Sequence, residues 1–383
     1  MSTPLGWGLF LVNVLALVAA PSIAEAATLG CGGAVSIIAS PSPGKVGNNL
    51  SSVVSLSASD AWAVGGASSA VGNPPTLQSK PLAIHWNGSS WRASHSTLAG
   101  AGNLSGITAV SSRDIWAVGH QGSFQAGTPL AEHWNGSAWS VVPSPSIQQG
   151  YLLGASAHGT NDVWAVGIRL GTVSYSLIEH WDGSSWQVVP SPNPGIDYNE
   201  IDSVVAISSR LAWAVGFSIS NNVSTPILAR WNGVSWNLVQ SPATGVSDNL
   251  LRSVAGLSEN DVWAVGQSRS ADGSSVGTLV EHWDGRGWRV VASPSPTPQA
   301  WLTGVAVAGG RVWAVGVRMD GFTNHTLIVR GEKGLLSAVP SPNRGSGDNM
   351  LEGVAVADGK AWAVGSDQGL TNGESLVLRA CAV

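Results

Sequence analysis

The tetrapeptide Trp-Ala-Val-Gly occurs seven times, beginning at Trp62, Trp116, Trp164, Trp213, Trp263, Trp313 and Trp362. A motif that returns about every 50 residues marks a chain built from one supersecondary unit, which cannot bury its apolar face alone and must stack on its own copies. The unit is clearest in residues 152–192, LLGASAHGTNDVWAVGIRLGTVSYSLIEHWDGSSWQVVPSP. It divides into four short strands. The first is made of small and β-branched residues, as in Ser203 to Ile207, and the second runs from Asp162 to Val166. The third is Leu177 to Trp181 and the fourth Trp186 to Val189, joined by Asp182-Gly183, a strong hairpin-turn signal. Four short strands repeated radially make a propeller blade. The small residues of the first strand suit the crowded axis, and the tryptophans suit the wedge that widens between blades. The expected fold is all-β, a seven-bladed β-propeller of four-stranded blades.

The seventh unit stops early: after Leu376-Val377-Leu378-Arg379 the sequence reaches Cys381-Ala382-Val383 without a fourth strand. Residues 31–41, from Cys31 to Pro41, align without a gap on residues 135–145, the fourth-strand segment of the second unit. The last blade therefore takes three strands from the C-terminus and one from the N-terminus, about 34–40, a 3+1 exchange that closes the ring and leaves no open edge. Counted in this register, Cys31 and Cys381 both fall where every intact unit has its third-to-fourth hairpin turn. A disulfide there replaces the missing turn at a feasible Cα separation. These are the only two cysteines, and pairing is the default for an exported chain.

Export is expected from the leader. Leu5 to Ala20 is apolar except for Gly6, Gly8 and Asn13, and Ala24-Glu25-Ala26 is a small-residue cleavage site. Residues 1–26 read as a signal peptide and 27–383 as one propeller domain, secreted or extracellular. The apolar run is too short and interrupted for a membrane span. Acylation at Cys31, behind Leu29-Gly30, is the lipid-anchored alternative. With 11% charged residues and a net charge of -5, the chain has no basic cluster for nucleic acid or an anionic membrane. A monomer is expected.

The four-strand units and the exchanged closing strand resemble the kelch and galactose-oxidase-like propellers, and the template is similar to the WAVG/EHWNG-type repeats of secreted bacterial proteins. The resemblance covers residues 34–383. Kelch-like is the apt term, because the Gly-Gly doublet that often follows the second kelch strand occurs only at Gly65-Gly66. Galactose-oxidase chemistry would need a copper site with two tyrosines, a tyrosine–cysteine thioether and histidines. With Tyr151, Tyr175 and Tyr198 as the only tyrosines and both cysteines otherwise used, that activity is not expected. A sialidase would need an arginine triad and repeated boxes that Ser111-Ser112-Arg113-Asp114-Ile115-Trp116 matches only loosely. Metal, Walker and nucleophile-elbow signatures are absent. No cofactor and no metal are expected, and an enzyme is the less favoured reading.

His85, His133, His180 and His282 share one template position, which Arg230, Arg330 and Arg379 fill in other units. Groups repeated once per blade on third strands stand too far apart to bind one ion, so pairing with Glu132, Glu179 and Glu281 or their neighbours is expected. Asp60, Asp114, Asp162 and Asp261, just before the second strands, are expected to cap turns. Function is sought instead where units differ. The first residues of the innermost strands are Ser51, Ser105, Leu153, Asp202, Arg252, Thr303 and Glu352, preceded two positions earlier by Asn49, Asn103, Tyr151, Glu200, Leu250, Trp301 and Met350. From these the ligand-binding candidates are Trp301, Asp197, Tyr198, Glu200, Asp202, Arg252, Glu352 and Tyr151. An aromatic platform with carboxylates and an arginine suits a glycan, by stacking and bidentate hydrogen bonds. The expected function is a secreted, non-catalytic binding propeller. A carbohydrate-active lyase or hydrolase and a structural or adhesive surface protein are the alternatives.

Overall fold

The computed structural model describes residues 34–381 except 74, 95, 99, 124–125, 244–247, 333 and 369–372. The predicted signal peptide and Cys31 lie outside the described residues. From Gly33 onward the chain is one compact unit of seven four-stranded antiparallel sheets. Blades one to six span 47–94, 102–142, 150–188, 198–238, 250–290 and 300–339. In each, sequence order is spatial order from the axis outward. The seventh places Asp348–Ala357 innermost, then Lys360–Gln368, then Glu374–Cys381, with Ser36–Ile37 as its outer strand. Ser36 pairs Arg379 and Ile37 pairs Leu378. The exchanged strand is short, but Ile38 N–H donates to Val377 O at 2.8 Å and Ser40 Oγ donates to Ser375 O at 3.0 Å. These bonds extend its hold beyond the two paired residues, so the expected closure is in place. No helix of the described residues is long and apolar enough to cross a membrane.

The tryptophans lie between blades. Trp62 of blade one packs on Trp134 and Trp139 of blade two, centroids 4.9 and 5.5 Å away. Trp116 meets Trp181 and Trp186, Trp164 meets Trp231 and Trp236, Trp213 meets Trp283 and Trp288, and Trp362 of the last blade meets Trp86 and Trp91 of the first. Each motif ring is roofed by the third-strand position of its own blade. That roof is His85, His133, His180 or His282 in four blades and the guanidinium of Arg230, Arg330 or Arg379 in three.

The histidines do not pair with the glutamates. Each Nε2 lies 2.7–2.9 Å from the aspartate that opens its own second strand: Asp60, Asp114, Asp162 and Asp261. These aspartates orient imidazoles across a strand pair rather than capping turns. Where the roof is arginine, the aspartate position carries Leu211, Arg311 or Lys360. The glutamates Glu132, Glu179 and Glu281 point the other way, fully buried. Each accepts a hydroxyl from the preceding blade: from Ser96, from Ser144 at 2.5 Å and from Ser241 at 2.6 Å.

Innermost strands are joined by side-chain to backbone bonds, which explains their serines and threonines. Ala157 N–H donates to Thr108 Oγ1 at 3.0 Å, Ala206 N–H to Ser156 Oγ at 2.9 Å, Val254 N–H to Ser203 Oγ and Val305 N–H to Ser253 Oγ, both at 3.2 Å. Thr303 Oγ1 donates to Leu351 O at 2.7 Å. Small polar residues therefore fit the axis and also tie one blade to the next.

Candidate functional site

The pairing of first and second strands skips one residue in every blade. Leu50 pairs Gly65 and Ser52 pairs Val64, leaving Ser51 out; the same slip leaves out Ser105, Leu153, Asp202, Arg252, Thr303 and Glu352. A β-bulge frees one residue from the ladder and re-aims its side chain. The glycine that ends Trp-Ala-Val-Gly is the other half of this device. A Cβ on Gly167 would stand 1.9 Å from Tyr151 O, and one on Gly216 would stand 2.0 Å from Glu200 O. Only glycine lets the bulged strand's carbonyl approach that closely. The repeat motif thus creates, blade by blade, a ring of seven side chains that line the axial channel, a cavity of about 210 Å³.

Four of the seven are Ser51, Ser105, Leu153 and Thr303; the charged ones are Asp202 of blade four, Arg252 of blade five and Glu352 of blade seven. Arg252 Nη1 donates to Asp202 Oδ2 at 3.3 Å and lies 3.6 Å from Glu200 Oε1. Its guanidinium sits 4.8 Å over the Phe217 ring, and that ring stacks on Tyr198 at 5.4 Å. Tyr198 hydroxyl donates to Glu200 Oε2. Burial, with the neighbouring Glu200 charge second, holds the Asp202 carboxyl well above the usual carboxylate range, and Arg252 only partly opposes this. Burial also raises the Tyr198 phenol, assisted by Glu200. Glu352 is pushed up to about 7 by burial, with Arg252 pulling the other way. One guanidinium therefore contacts two carboxyl groups and leaves Glu352 without an ion-pair partner, while burial favours the protonated forms of Asp202 and Glu352.

Of the sequence candidates, Tyr198, Glu200, Asp202 and Arg252 come together as one network, and Glu352 lines the same channel. Three others do not join it. Asp197 is exposed and its Oδ2 accepts from Asn221 N–H at 2.9 Å, fixing the hairpin of its own blade. Tyr151 is buried against blade two, its ring 5.0 Å from His120. Trp301 is half-buried, two residues before Thr303 and paired with Val317, outside the Arg252 network. Phe217, which seats the guanidinium, escaped the sequence reading because it belongs to the stretch after the motif glycine, where position alone does not reveal a cross-blade contact. Among the described residues no three His, Cys, Asp or Glu side chains converge to hold a metal ion.

No family model matches the chain, and no curated protein matches it in sequence. Its fold is found in solved structures. YCF48 bound to a D1 peptide is similar with a TM-score of 0.55 and 13% identity, covering 91% of this chain and 94% of that one. The WD40 propeller domain of Doa1 gives 0.55 and 12%, over 90% and 95%. The polysaccharide lyase PL25 ulvan lyase bound to -[GlcA(1-4)Rha3S]- gives 0.55 and 10%, over 88% and 94%. At these identities the likeness concerns the fold alone.

Proposed function

We propose that this chain is an exported, kelch-like, non-catalytic binding propeller that takes a glycan at the mouth of its channel. The observation that supports the reading is the uneven charge of the bulged ring. The architecture is served by small residues there, as at Ser51, Ser105 and Thr303, so Asp202, Arg252 and Glu352 must answer to something else. Buried carboxyls beside a guanidinium offer directional hydrogen bonds to sugar hydroxyls. Trp301, on the neighbouring blade, offers a stacking face. The fold itself accommodates either ligand class, since one solved neighbour holds a saccharide and another a peptide. Export and the Cys31–Cys381 disulfide belong to the same reading, as does lipid anchoring through Cys31 as its alternative.

A glycan array on the purified protein tests it. Binding that is lost in Arg252→Ala and weakened in Trp301→Ala, with the thermal unfolding temperature kept, supports the mouth as the site. Silence of the wild type across the array refutes glycan binding and leaves a structural or adhesive role. One observation favours a second, enzymatic reading: a carboxyl held at about 7, like Glu352, is poised to donate a proton at neutral pH. Release of reducing or unsaturated ends from a polysaccharide, abolished by Glu352→Gln, would replace binding with catalysis.

A further inference from the structure

We propose that the group received by the channel is the ammonium of an amino sugar at the end of a glycan. This rests on the glycan-binding reading and names the chemistry of its ligand. The argument starts from charge. Asp202, Glu352 and Glu200 face a single cation, Arg252, which is already shared between Glu200 and Asp202. Glu352 stands two blades further round the ring, half-buried in the channel wall and without a hydrogen bond from any described residue. A carboxyl partly withdrawn from water with no protein partner is stabilised by staying neutral or by meeting a donor. The Ser51 and Ser105 hydroxyls lie on the same wall and can share a primary ammonium, whose three donors need several acceptors at once.

Two features narrow the identity of the cation. The acidic groups do not converge as metal ligands do, so a molecular cation with spread donors fits better than an ion. The cavity, about 210 Å³, is below the roughly 300–1,000 Å³ typical of whole-ligand pockets. It admits a terminal group while the rest of the chain lies on the mouth, where Trp301 is half-buried.

The titratable groups lining the channel are Asp202, Arg252 and Glu352, the other four ring positions being serine, leucine and threonine; Glu200 stands behind Arg252 and Tyr198 behind Glu200. A bound ammonium favours the ionised form of Glu352, whose pKa lies at about 7 in the free protein. Binding near pH 6.5, where the amine is already mostly protonated, then releases a proton from Glu352; above about 8, where Glu352 is ionised and the free amine largely neutral, release gives way to uptake by the amine.

The test compares a glucosamine oligosaccharide with its N-acetylated counterpart of equal length, by calorimetry at about pH 6.5 in buffers of different ionisation enthalpy. The free-amine form is expected to bind about tenfold more tightly, with net proton release. Glu352→Gln is expected to abolish the release and most of the preference while keeping the unfolding temperature. Asp202→Asn reports independently through the other side of the ring, with a smaller loss of preference. Equal binding of both oligosaccharides, or proton uptake, overturns this inference and leaves glycan binding intact. A protein that binds no glycan of any charge overturns the underlying reading instead.

Discussion

The interfaces between blades are of two kinds. Five are filled by three tryptophans each, and two, on either side of blade six, are not. At the interface of blades five and six, Trp263 packs with Leu336, because Gly331 and Leu336 occupy the positions of the two partner rings. At the next interface, Trp313 packs with Val35, Ile37 and Ala380. The motif tryptophan is kept all round the ring, while its partners are lost on both sides of blade six, one of which receives the closing strand. The difference teaches where the ring is least glued by its own repeat. The sector with the poorest aromatic packing also contains the junction between the chain's ends, so closure there depends on strand exchange, and the proposed Cys31–Cys381 link would reinforce it.

The largest effect is expected from that proposed link. Cys381 ends the third strand of blade seven, opposite Lys360, and the proposed partner Cys31 lies at the far end of the sequence. Closing a loop of roughly 350 residues contributes about 6 kcal/mol in the chain-entropy description. Thiol titration of the unfolded, unreduced protein is expected to find no free cysteine, and the Cys31→Ser/Cys381→Ser protein is expected to melt well below wild type with unchanged strand content. Two titratable thiols, or a lipid mass on Cys31, would remove the covalent link from the comparison.

Next in size is the contrast between the two kinds of interface. Trp213 is fully buried between Trp283 and Trp288, and its replacement by alanine is expected to cost about 3–5 kcal/mol. Trp313 is almost equally buried but meets only aliphatic partners from the next blade. Aromatic pairs add about 0.5–1.5 kcal/mol each beyond area burial, so Trp313→Ala should be milder by about 1–2 kcal/mol. Urea unfolding of both variants decides the matter; equal losses would mean that the tryptophan triads contribute nothing beyond their area.

Which parts of this molecule could be read from its residues depends on whether a feature repeats. Asp182-Gly183 announces its turn by composition, and in the structure Gly183 has φ +93° while Asp182 Oδ1 accepts from Ser184 and Ser185 N–H. The closing strand was legible because Cys31 to Pro41 keeps the template's spacing. The cross-strand partners were not. His180 and Asp162 are 18 residues apart and meet only through the register that sets Trp164 opposite His180. Glu179, one residue earlier, lies on the opposite face, because strand side chains alternate. At the channel the bulge adds one more inversion of phase. Counting therefore located Asp202, Arg252 and Glu352 as a ring of equivalent positions, but could not separate Asp197, Tyr151 and Trp301 from it.

The smallest effect concerns the polar counterpart of the tryptophan interfaces. Glu179 is fully buried, with Oε2 accepting from Ser144 and Oε1 without a partner. Burial pushes its carboxyl up to about 7 from an ordinary 4.5, the Ser144 bond opposing. Between those values the folded chain holds a proton that the unfolded chain has released. Stability conferred by the neutral form is thus full below about 4.5, declines as pH rises through about 7 and is flat above. The difference is worth up to ~3 kcal/mol. Glu132 and Glu281 are raised for the same reason and add slope of the same sign. The equivalent position carries Ile84, Ala229, Val329 and Leu378 in other blades, so an apolar side chain fits there. Glu179→Leu is expected to match wild type within about 1 kcal/mol at about pH 5 and to exceed it by about 2 kcal/mol at about pH 8. Unfolding across that range supplies the check. A Glu179→Leu variant with the full wild-type pH slope would mean that Glu179 ionises without cost in the fold, and that the serine–glutamate contacts are incidental to how the blades adhere.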